Sequence, residues 1–258
     1  MKKILTLFFM LIFSLSSAMA DDMRFVQVSD VRFDVGQDNN LFKRVITDIN
    51  KQKDVDFVVF TGDNINKPTK KNLEGFLAEA KKLNSPFYIV LGDKDVNKRK
   101  EMSKKEYLKI VSKKVRRHKF LEPNYTFEKK GVVFIVADGS KEVIPSTNGF
   151  YKDNVLSFVE EELNNNSKKN VIILQHFPLI PPSDKETYYT FKPEEYLKIL
   201  YTHPNVKAVV SGHFGVNSEI NKNGIVHITT SGLPSYRIID ILDCDTANPT
   251  IWAELKNK

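Results

Sequence analysis

The sequence predicts a layered α/β protein with more than one β-sheet. Short apolar runs rich in Val, Ile and Phe recur along the chain, and amphipathic helical patterns separate the early ones. After Ser211, three further runs follow one another with no helical stretch between them. Strands that alternate with helices, followed by a strand-rich last third, are typical of packed layers of both kinds.

Nine strands are expected. Six runs are apolar on both faces, as in strands of a sheet that is covered on both sides. They span 25–28, 57–60, 87–91, 132–137, 171–174 and 206–210. The pattern predicts three more strands, which follow one another at 225–230, 236–242 and 250–255.

Four helices are expected between the strands. Apolar residues spaced three and four apart form one face over 41–49 and another over 73–83. Ser103 and Glu106 have the spacing of a capping box, which predicts the start of a third helix. A fourth helix is expected over 154–163.

The first 20 residues have the features of a secretory signal peptide. Lys2 and Lys3 precede an apolar stretch over 4–15, and Ala18-Met19-Ala20 provides a cleavage site. This stretch is shorter than the roughly 20 apolar residues that a membrane span needs. We therefore expect cleavage before Asp21 and export to the periplasm or the medium, with retention of an uncleaved chain as the alternative.

The remaining residues, 21–258, are expected to form one domain, since about 240 residues with ordinary apolar content fit a single large core. Cys244 is the only cysteine, so it has no intramolecular disulfide partner in an oxidising compartment. The fold must therefore depend on its core, and Cys244 itself is expected to be a buried small side chain.

Positive charge is concentrated in one segment. The whole chain has a formal charge of +7, whereas residues 94–130 contain 14 Lys and Arg against five Asp and Glu. Such a segment could steer nucleotides, nucleic acid or anionic lipid towards a cleft. The absence of interleaved aromatics and of a nucleic-acid motif favours the other interpretation, the solvated face of a helix.

A carboxylate or an imidazole follows five of the predicted strands. These residues are Asp30, Asp63, Asp93, His176 and His213. Ligands bind outside the carboxyl ends of strands in α/β sheets, so the five side chains are expected to converge. One Asp after a strand usually caps a turn, and a lone His is usually part of the scaffold, but five such strand ends are hard to attribute to turns. Mixed oxygen and imidazole ligands suit Mn, Fe or Zn better than Ca or Mg.

The order of these motifs resembles the calcineurin-like metallophosphoesterases. The chain has D-x-x-F, T-G-D-N, G-D-K-D, Q-H-F-P and S-G-H-F-G where that family has D-x-H, G-D, G-N-H-[DE], H and G-H-x-H. The resemblance implies a four-layer α/β/β/α sandwich with two central mixed sheets flanked by helices. It also implies two metal ions that hold a hydroxide for attack on a phosphoester, and a His in the third motif that assists the leaving group.

Carried over residue by residue, the resemblance makes Asp63 the ligand that bridges the two metals. Asp30 would bind the first metal only. His176 and His213 would bind the second, together with Asp93, which stands at the family's Asn.

Three further positions depart from the family's pattern. Arg32 replaces the second ligand of D-x-H, Gly215 the last His of G-H-x-H, and Lys94 the His of the third motif. The first metal would keep only Asp30 and Asp63, fewer than the three or four protein ligands of a typical site. The expected content is therefore one divalent metal ion per chain.

Three residues are assigned to catalysis. Arg32, if it points inward, would bridge Asp30 and Asp63 and offer donors to a phosphate; the alternative is that it extends into solvent. Lys94 would hold phosphate, but an ordinary lysine is an ammonium at neutral pH and a poor proton donor. Asn64, which ends the T-G-D-N motif, is the third.

Three functions remain open at this stage. The first is a weak metal-dependent phosphoesterase that acts on phosphomonoesters or phosphodiesters. The second is an inactive member of the family that binds a phosphate-bearing ligand. The third is an envelope interaction protein that uses the fold only as a scaffold.

Overall fold

The computed structural model describes residues 22–100, 102–115, 120–183 and 188–257. The signal peptide predicted over 1–20 lies outside these residues. The strands are β1 (Met23–Val28), β2 (Phe57–Thr61), β3 (Phe87–Val90), β4 (Tyr125–Lys129), β5 (Val132–Val136), β6 (Val171–Leu174), β7 (Val206–Ser211), β8 (Ser218–Lys222), β9 (Ile225–Thr229), β10 (Ser235–Leu242) and β11 (Thr250–Asn257). The helices are α1 (Asn40–Ile49), α2 (Lys70–Ala80), α3 (Lys104–Lys114), α4 (Asp153–Asn165) and α5 (Glu194–Tyr201).

The strands form two mixed sheets. The first has the order β11-β10-β1-β2-β3, in which β1, β2 and β3 are parallel and β10 is antiparallel to both of its neighbours, β1 and β11. The second has the order β4-β5-β6-β7-β9-β8, with β5, β6, β7 and β9 parallel and an antiparallel strand at each edge. The parallel strands of each sheet therefore end at one edge, where ligands bind in α/β proteins.

Three apolar cores separate four layers. The core between the sheets is rich in phenylalanine: the Phe25 and Phe57 rings stack 4.9 Å apart, and Phe134 from the second sheet meets Phe57 edge-on at 5.0 Å. Helices α1, α2 and α3 cover the outer face of the first sheet, and α4 and α5 cover that of the second. This is the α/β/β/α sandwich that the resemblance implies.

All nine predicted strands and four predicted helices are present, with bounds within a few residues of those expected. The capping box is confirmed, because the Ser103 side chain accepts from the Glu106 amide and the Glu106 side chain accepts from the Ser103 amide. Cys244 is 1% exposed, as expected. Strands β4 and β8 and helix α5 were not predicted. Among the described residues, none of the helices is long and apolar enough to cross a membrane.

Candidate metal centre

All five residues predicted at strand ends meet at one edge of the sandwich. Asp30, Asp63 and Asp93 follow β1, β2 and β3 of the first sheet, and His176 and His213 follow β6 and β7 of the second. Four of them, all except Asp30, offer one ligand atom each within 4.8 Å of one another. The two sheets thus contribute to one cluster.

The backbone around this cluster is held in an uncommon conformation. Asp30, Arg32, Asp63 and His213 have φ between 49° and 67°, in the left-handed region that residues other than glycine seldom adopt. Such residues concentrate at functional sites, where the surrounding structure offsets the strain. Gly62 has φ 95° and touches His176 so closely that a Cβ there would overlap the imidazole ring.

Backbone carbonyls fix the orientation of both imidazoles. His176 Nδ1 lies 2.7 Å from the Thr61 oxygen, and His213 Nε2 lies 2.6 Å from the Thr147 oxygen. A carbonyl only accepts hydrogen bonds, so each of these nitrogens carries a proton and donates it. A neutral imidazole then keeps its lone pair on the other nitrogen, the usual state of a metal-ligating histidine.

The two remaining nitrogens face each other. His176 Nε2 and His213 Nδ1 are 3.0 Å apart inside the cluster. If both rings are neutral, two lone pairs point at each other, and this arrangement is stable only when a cation or a proton lies between or beside them. The donor geometry therefore fits a metal ion that both imidazoles bind.

The carboxylates fit the same ion. Asp63 is completely buried; its Oδ1 accepts from the Lys94 amide at 2.9 Å and lies 3.5 Å from His176 Nε2. Its Oδ2 lies 3.7 Å from Arg32 Nε instead. Asp93 Oδ1 lies 3.2 Å from His213 Nδ1 and 3.5 Å from His176 Nε2, and it has no hydrogen-bond partner among the described residues. A buried carboxylate oxygen without a partner is costly, and a divalent cation at this point would satisfy it.

The charges of the cluster shift one another's pKa values. Burial raises the pKa of Asp63 to about 6, opposed by the charge of His176 and reinforced by Asp93 and Asp30. Burial lowers the pKa of His176, but the attraction of Asp63 and the hydrogen bond to Asp93 outweigh it and bring the value to about 10. In the metal-free cluster at neutral pH, His176 is therefore doubly protonated, with its second proton on Nε2. A metal ion must displace that proton, so metal affinity should fall as the pH falls.

Arg32 points into the centre. Its Nη2 donates to Asp30 Oδ1 at 2.9 Å, and its Nε lies 3.7 Å from Asp63 Oδ2. Asp30 also accepts from the Ser29 hydroxyl at 2.7 Å and from the His213 amide at 2.9 Å. The side chain of Arg32 is 47% exposed, so one edge of the guanidinium remains open to a ligand.

The other two residues assigned to catalysis differ in exposure. The side chain of Lys94 is 33% exposed, and its Nζ lies 3.8 Å from Asp93 Oδ2, at the edge of the cluster. Asn64 is completely buried, and its amide nitrogen donates to the Val90 carbonyl at 3.0 Å and to Asp95 Oδ2 at 2.9 Å. The catalytic role of Asn64 stays a prediction, since these contacts use its amide nitrogen to brace the loop.

Asp95 was not assigned a role from the sequence, yet it joins two of the loops that carry ligands. Its Oδ1 accepts from the amides of Asn64 and Ile65 at 2.8 and 3.1 Å. Its Oδ2 accepts from the amide of Gly92 and the side chain of Asn64 at 2.8 and 2.9 Å. The position of Asp95 in the G-D-K-D run was the available signal. The carbonyls of Thr61 and Thr147 gave none, because any residue supplies a carbonyl.

The basic segment packs as an ordinary surface helix over its described part. Helix α3 buries Tyr107, Leu108 and Val111. Its exposed lysines are Lys105, Lys109, Lys113 and Lys114. At its start, Lys104 Nζ donates to Asp138 Oδ2 at 2.5 Å and anchors the helix to the second sheet. This packing agrees with the solvated helix face; binding of nucleic acid stays an untested alternative.

The comparisons with known proteins agree with this geometry. The model of the family described as calcineurin-like phosphoesterase matches residues 23–217, which contain every residue of the cluster. The chain belongs to that family. Its members are metal-dependent, and the four ligands above are the group that could hold a metal here.

Solved structures with the same fold are distant in sequence. A dimetal phosphatase from Danio rerio is 16% identical with a TM-score of 0.69, over 84% of this chain and 95% of that one. The TT1561 protein of Thermus thermophilus is 15% identical with a TM-score of 0.60, over 92% and 99%. GAP50, described as the anchor in the inner membrane complex of Plasmodium, is 17% identical with a TM-score of 0.60, over 92% and 84%. No curated protein matches the chain. At these identities the similarities establish the fold alone.

Proposed function

We propose that the chain is an exported phosphoesterase that works with one divalent metal ion. The observation that carries this proposal is the pair of imidazole nitrogens, His176 Nε2 and His213 Nδ1, that face each other at 3.0 Å beside Asp63 and Asp93. Membership of the family supports a phosphomonoester or phosphodiester as substrate. The mixed donor set favours Mn, Fe or Zn.

The single metal follows from what occupies the other half of the centre. In the family's pattern, Asp30 and Asp63 would share a first metal with two histidines. Here Arg32 stands at one of those positions with its guanidinium against both carboxylates, and Gly215 stands at the other with no side chain to offer. A fixed positive charge thus takes the place of a cation, and the two carboxylates left are too few to hold one.

The residues divide the work as follows. The bound metal would supply Lewis-acid activation of a phosphoryl oxygen and of an attacking water. Arg32 presents guanidinium donors on the open side of the centre, where they hold and orient phosphate oxygens. Lys94 adds a second positive charge near Asp93. With a lysine where the family has a histidine, no good proton donor serves the leaving group, and turnover should be slower by about 10² to 10⁴.

Export is part of the proposal. The basic, apolar and small-residue segments over 1–20 support cleavage before Asp21 and release into the periplasm or medium. The N-terminal sequence of the protein recovered from outside the cytoplasm would test this. A mature chain that begins at Met1 would contradict it.

The enzymatic part is tested by loading metal-depleted protein separately with Mn, Fe and Zn. We expect one metal per chain and slow hydrolysis of p-nitrophenyl phosphate or its bis-ester. Asp63→Asn and His176→Gln should lose both metal and turnover. His203→Gln is the matched control, because that imidazole is partly exposed and bonds to the Ile199 carbonyl away from the centre. Unchanged metal content and turnover in Asp63→Asn would refute the proposal.

A second candidate function rests on the two positively charged side chains beside the cluster. Arg32 and Lys94 sit beside the cluster without a proton donor, an arrangement suited to holding phosphate without cleaving its ester. Calorimetry that shows binding of inorganic phosphate, with no turnover under any metal, would favour this candidate. If the protein binds neither metal nor phosphate, a scaffold role is favoured. The support for that role is the fold likeness to the Plasmodium anchor.

A further inference from the structure

A partly exposed tyrosine lies against one of the metal ligands. The ring centroids of Tyr188 and His213 are 5.7 Å apart with an interplanar angle of 52°. Tyr188 is nevertheless 45% exposed. A large aromatic side chain thus lies directly against a member of the cluster and is also open to solvent.

The backbone holds Tyr188 in place at a cost. Its φ is 74°, a conformation that is a genuine outlier for a bulky residue and marks positions held by their surroundings. Two backbone hydrogen bonds at Gly149 join its segment to the neighbouring loop: the Gly149 amide donates to the Tyr189 carbonyl at 3.1 Å, and the Phe191 amide donates to the Gly149 carbonyl at 2.8 Å. The same loop contains Thr147, whose carbonyl orients His213. The tyrosine and the metal ligand are therefore positioned by one unit.

A second aromatic pair, one member of which lies three residues along the chain from Tyr188, carries positive charge. Phe191 is 50% exposed, and its ring lies 6.2 Å from that of Phe150. Lys192 Nζ lies 5.4 Å from the centre of the Phe191 ring, and Lys141 Nζ lies 5.6 Å from that of Phe150. Flat apolar faces with ammonium groups above them suit a ligand that is both aromatic and anionic.

We propose that Tyr188 is a specificity-determining residue that stacks on a flat aromatic group of the phosphoester substrate. This inference rests on the proposed function, since it assumes that phosphate oxygens bind at the centre beside Arg32 and Lys94. The aromatic group is either a simple aryl ring or a nucleobase, because both offer the same π-face. Tyr188 discriminates between substrates and takes no part in the bond changes.

Binding, measured by calorimetry on the manganese-loaded full chain, tests the inference without requiring turnover. The probes are methyl phosphate, phenyl phosphate and adenosine 5′-monophosphate. The wild-type chain should bind at least one aromatic probe about 2- to 10-fold more tightly than methyl phosphate. Tyr188→Leu, which keeps an apolar side chain and the same backbone strain, should bring that ratio close to one, and Tyr188→Phe should retain it. Trp252→Leu is the matched control, since that aromatic residue is 65% exposed on the edge strand β11.

The outcomes separate this inference from the function on which it rests. A preference for the nucleotide over phenyl phosphate identifies a base as the group that stacks, and equal affinities identify any aryl ring. If Tyr188→Leu keeps the wild-type ratio, or weakens all three probes equally, the tyrosine only supports His213 and the inference fails. Binding with the expected ratio but no hydrolysis would refute the phosphoesterase and leave the aromatic site standing.

Discussion

Replacing Arg32 by methionine should destabilise the metal-free protein, because it leaves Asp30 and Asp63 without the guanidinium that lies between them. The relevant distances are 2.9 Å to Asp30 Oδ1 and 3.7 Å to Asp63 Oδ2. At an effective dielectric constant near 20, each attraction is about 4 to 6 kcal/mol before any cost is subtracted. The Arg32 side chain is 47% exposed, so solvent screening and desolvation reduce the expected loss to about 1 to 3 kcal/mol.

The pH dependence of this loss has a definite sign. Burial raises the pKa of Asp30, but the charge of His176, the hydrogen bond from Ser29 and the charge of Arg32 outweigh it and hold the pKa below its ordinary value. A carboxyl with a lowered pKa in the folded state contributes stability above its unfolded value of about 3.9 and loses it as the pH falls through the folded value. The difference between wild type and Arg32→Met should therefore be largest near pH 7. It should narrow first near pH 6, where the buried Asp63 with its raised pKa takes up a proton, and again below about pH 4, where Asp30 does.

Urea unfolding in the presence of a chelator, repeated from pH 7 downwards, measures this difference. Arg24→Met is the matched control, since Arg24 pairs with Asp240 at 2.7 and 2.8 Å away from the centre. It should also lose stability, whereas only Arg32→Met should weaken phosphate binding to the metal-loaded protein. An Arg32→Met chain as stable as the wild type at pH 7, with unchanged phosphate affinity, would refute the role given to this residue.

Three more predictions follow from the same geometry. Gly62→Ala should abolish metal binding and lower the free energy of unfolding, measured in urea, by more than about 2 kcal/mol, because its Cβ would overlap the His176 imidazole. Gly131→Ala is the control, since Gly131 has a φ of 76° and no atom lies within 4 Å of the added Cβ. It should lower the free energy of unfolding by only about 1 kcal/mol and keep the metal. Equal losses in the two variants would contradict this prediction. Asp93→Asn, which removes one negative charge, should weaken metal affinity in a competition titration yet raise turnover per bound metal, and a tighter-binding variant would contradict it. Arg32→His combined with Gly215→His should raise the metal content by one per chain in elemental analysis, whereas the corresponding double alanine variant should not; equal contents would show that these two positions do not exclude the first metal.

The two strands and the one helix that the sequence did not predict are short, and both strands lie at sheet edges. Strand β8, Ser218–Lys222, is an exposed edge strand whose only apolar residue is Ile220. Strand β4, Tyr125–Lys129, is also an edge strand, at the end of the basic segment. Helix α5 is only eight residues long and has no side-chain cap. Edge strands and short helices owe their structure to neighbours, which local sequence does not contain.

The ligand cluster was predictable for a different reason. Each of its members follows a short apolar run that reads as a buried strand, and the topology of parallel strands brings such ends together wherever they lie in the chain. What could not be predicted is the set of contacts that orient the ligands. The carbonyls of Thr61 and Thr147 act through backbone atoms, and Tyr188 lies in a polar stretch with no motif around it. Whether Arg32 pointed inward was also open, because one side-chain direction is not encoded in spacing.

The metal content of the wild-type chain tests the central claim most directly. Purified protein should be stripped with a chelator, reloaded with excess Mn, Fe or Zn, freed of unbound metal and analysed for metal per chain. One ion per chain is expected, held by Asp63, Asp93, His176 and His213. Two ions per chain would show that Arg32 and Gly215 do not close the other half of the centre, and the single-metal mechanism would be wrong.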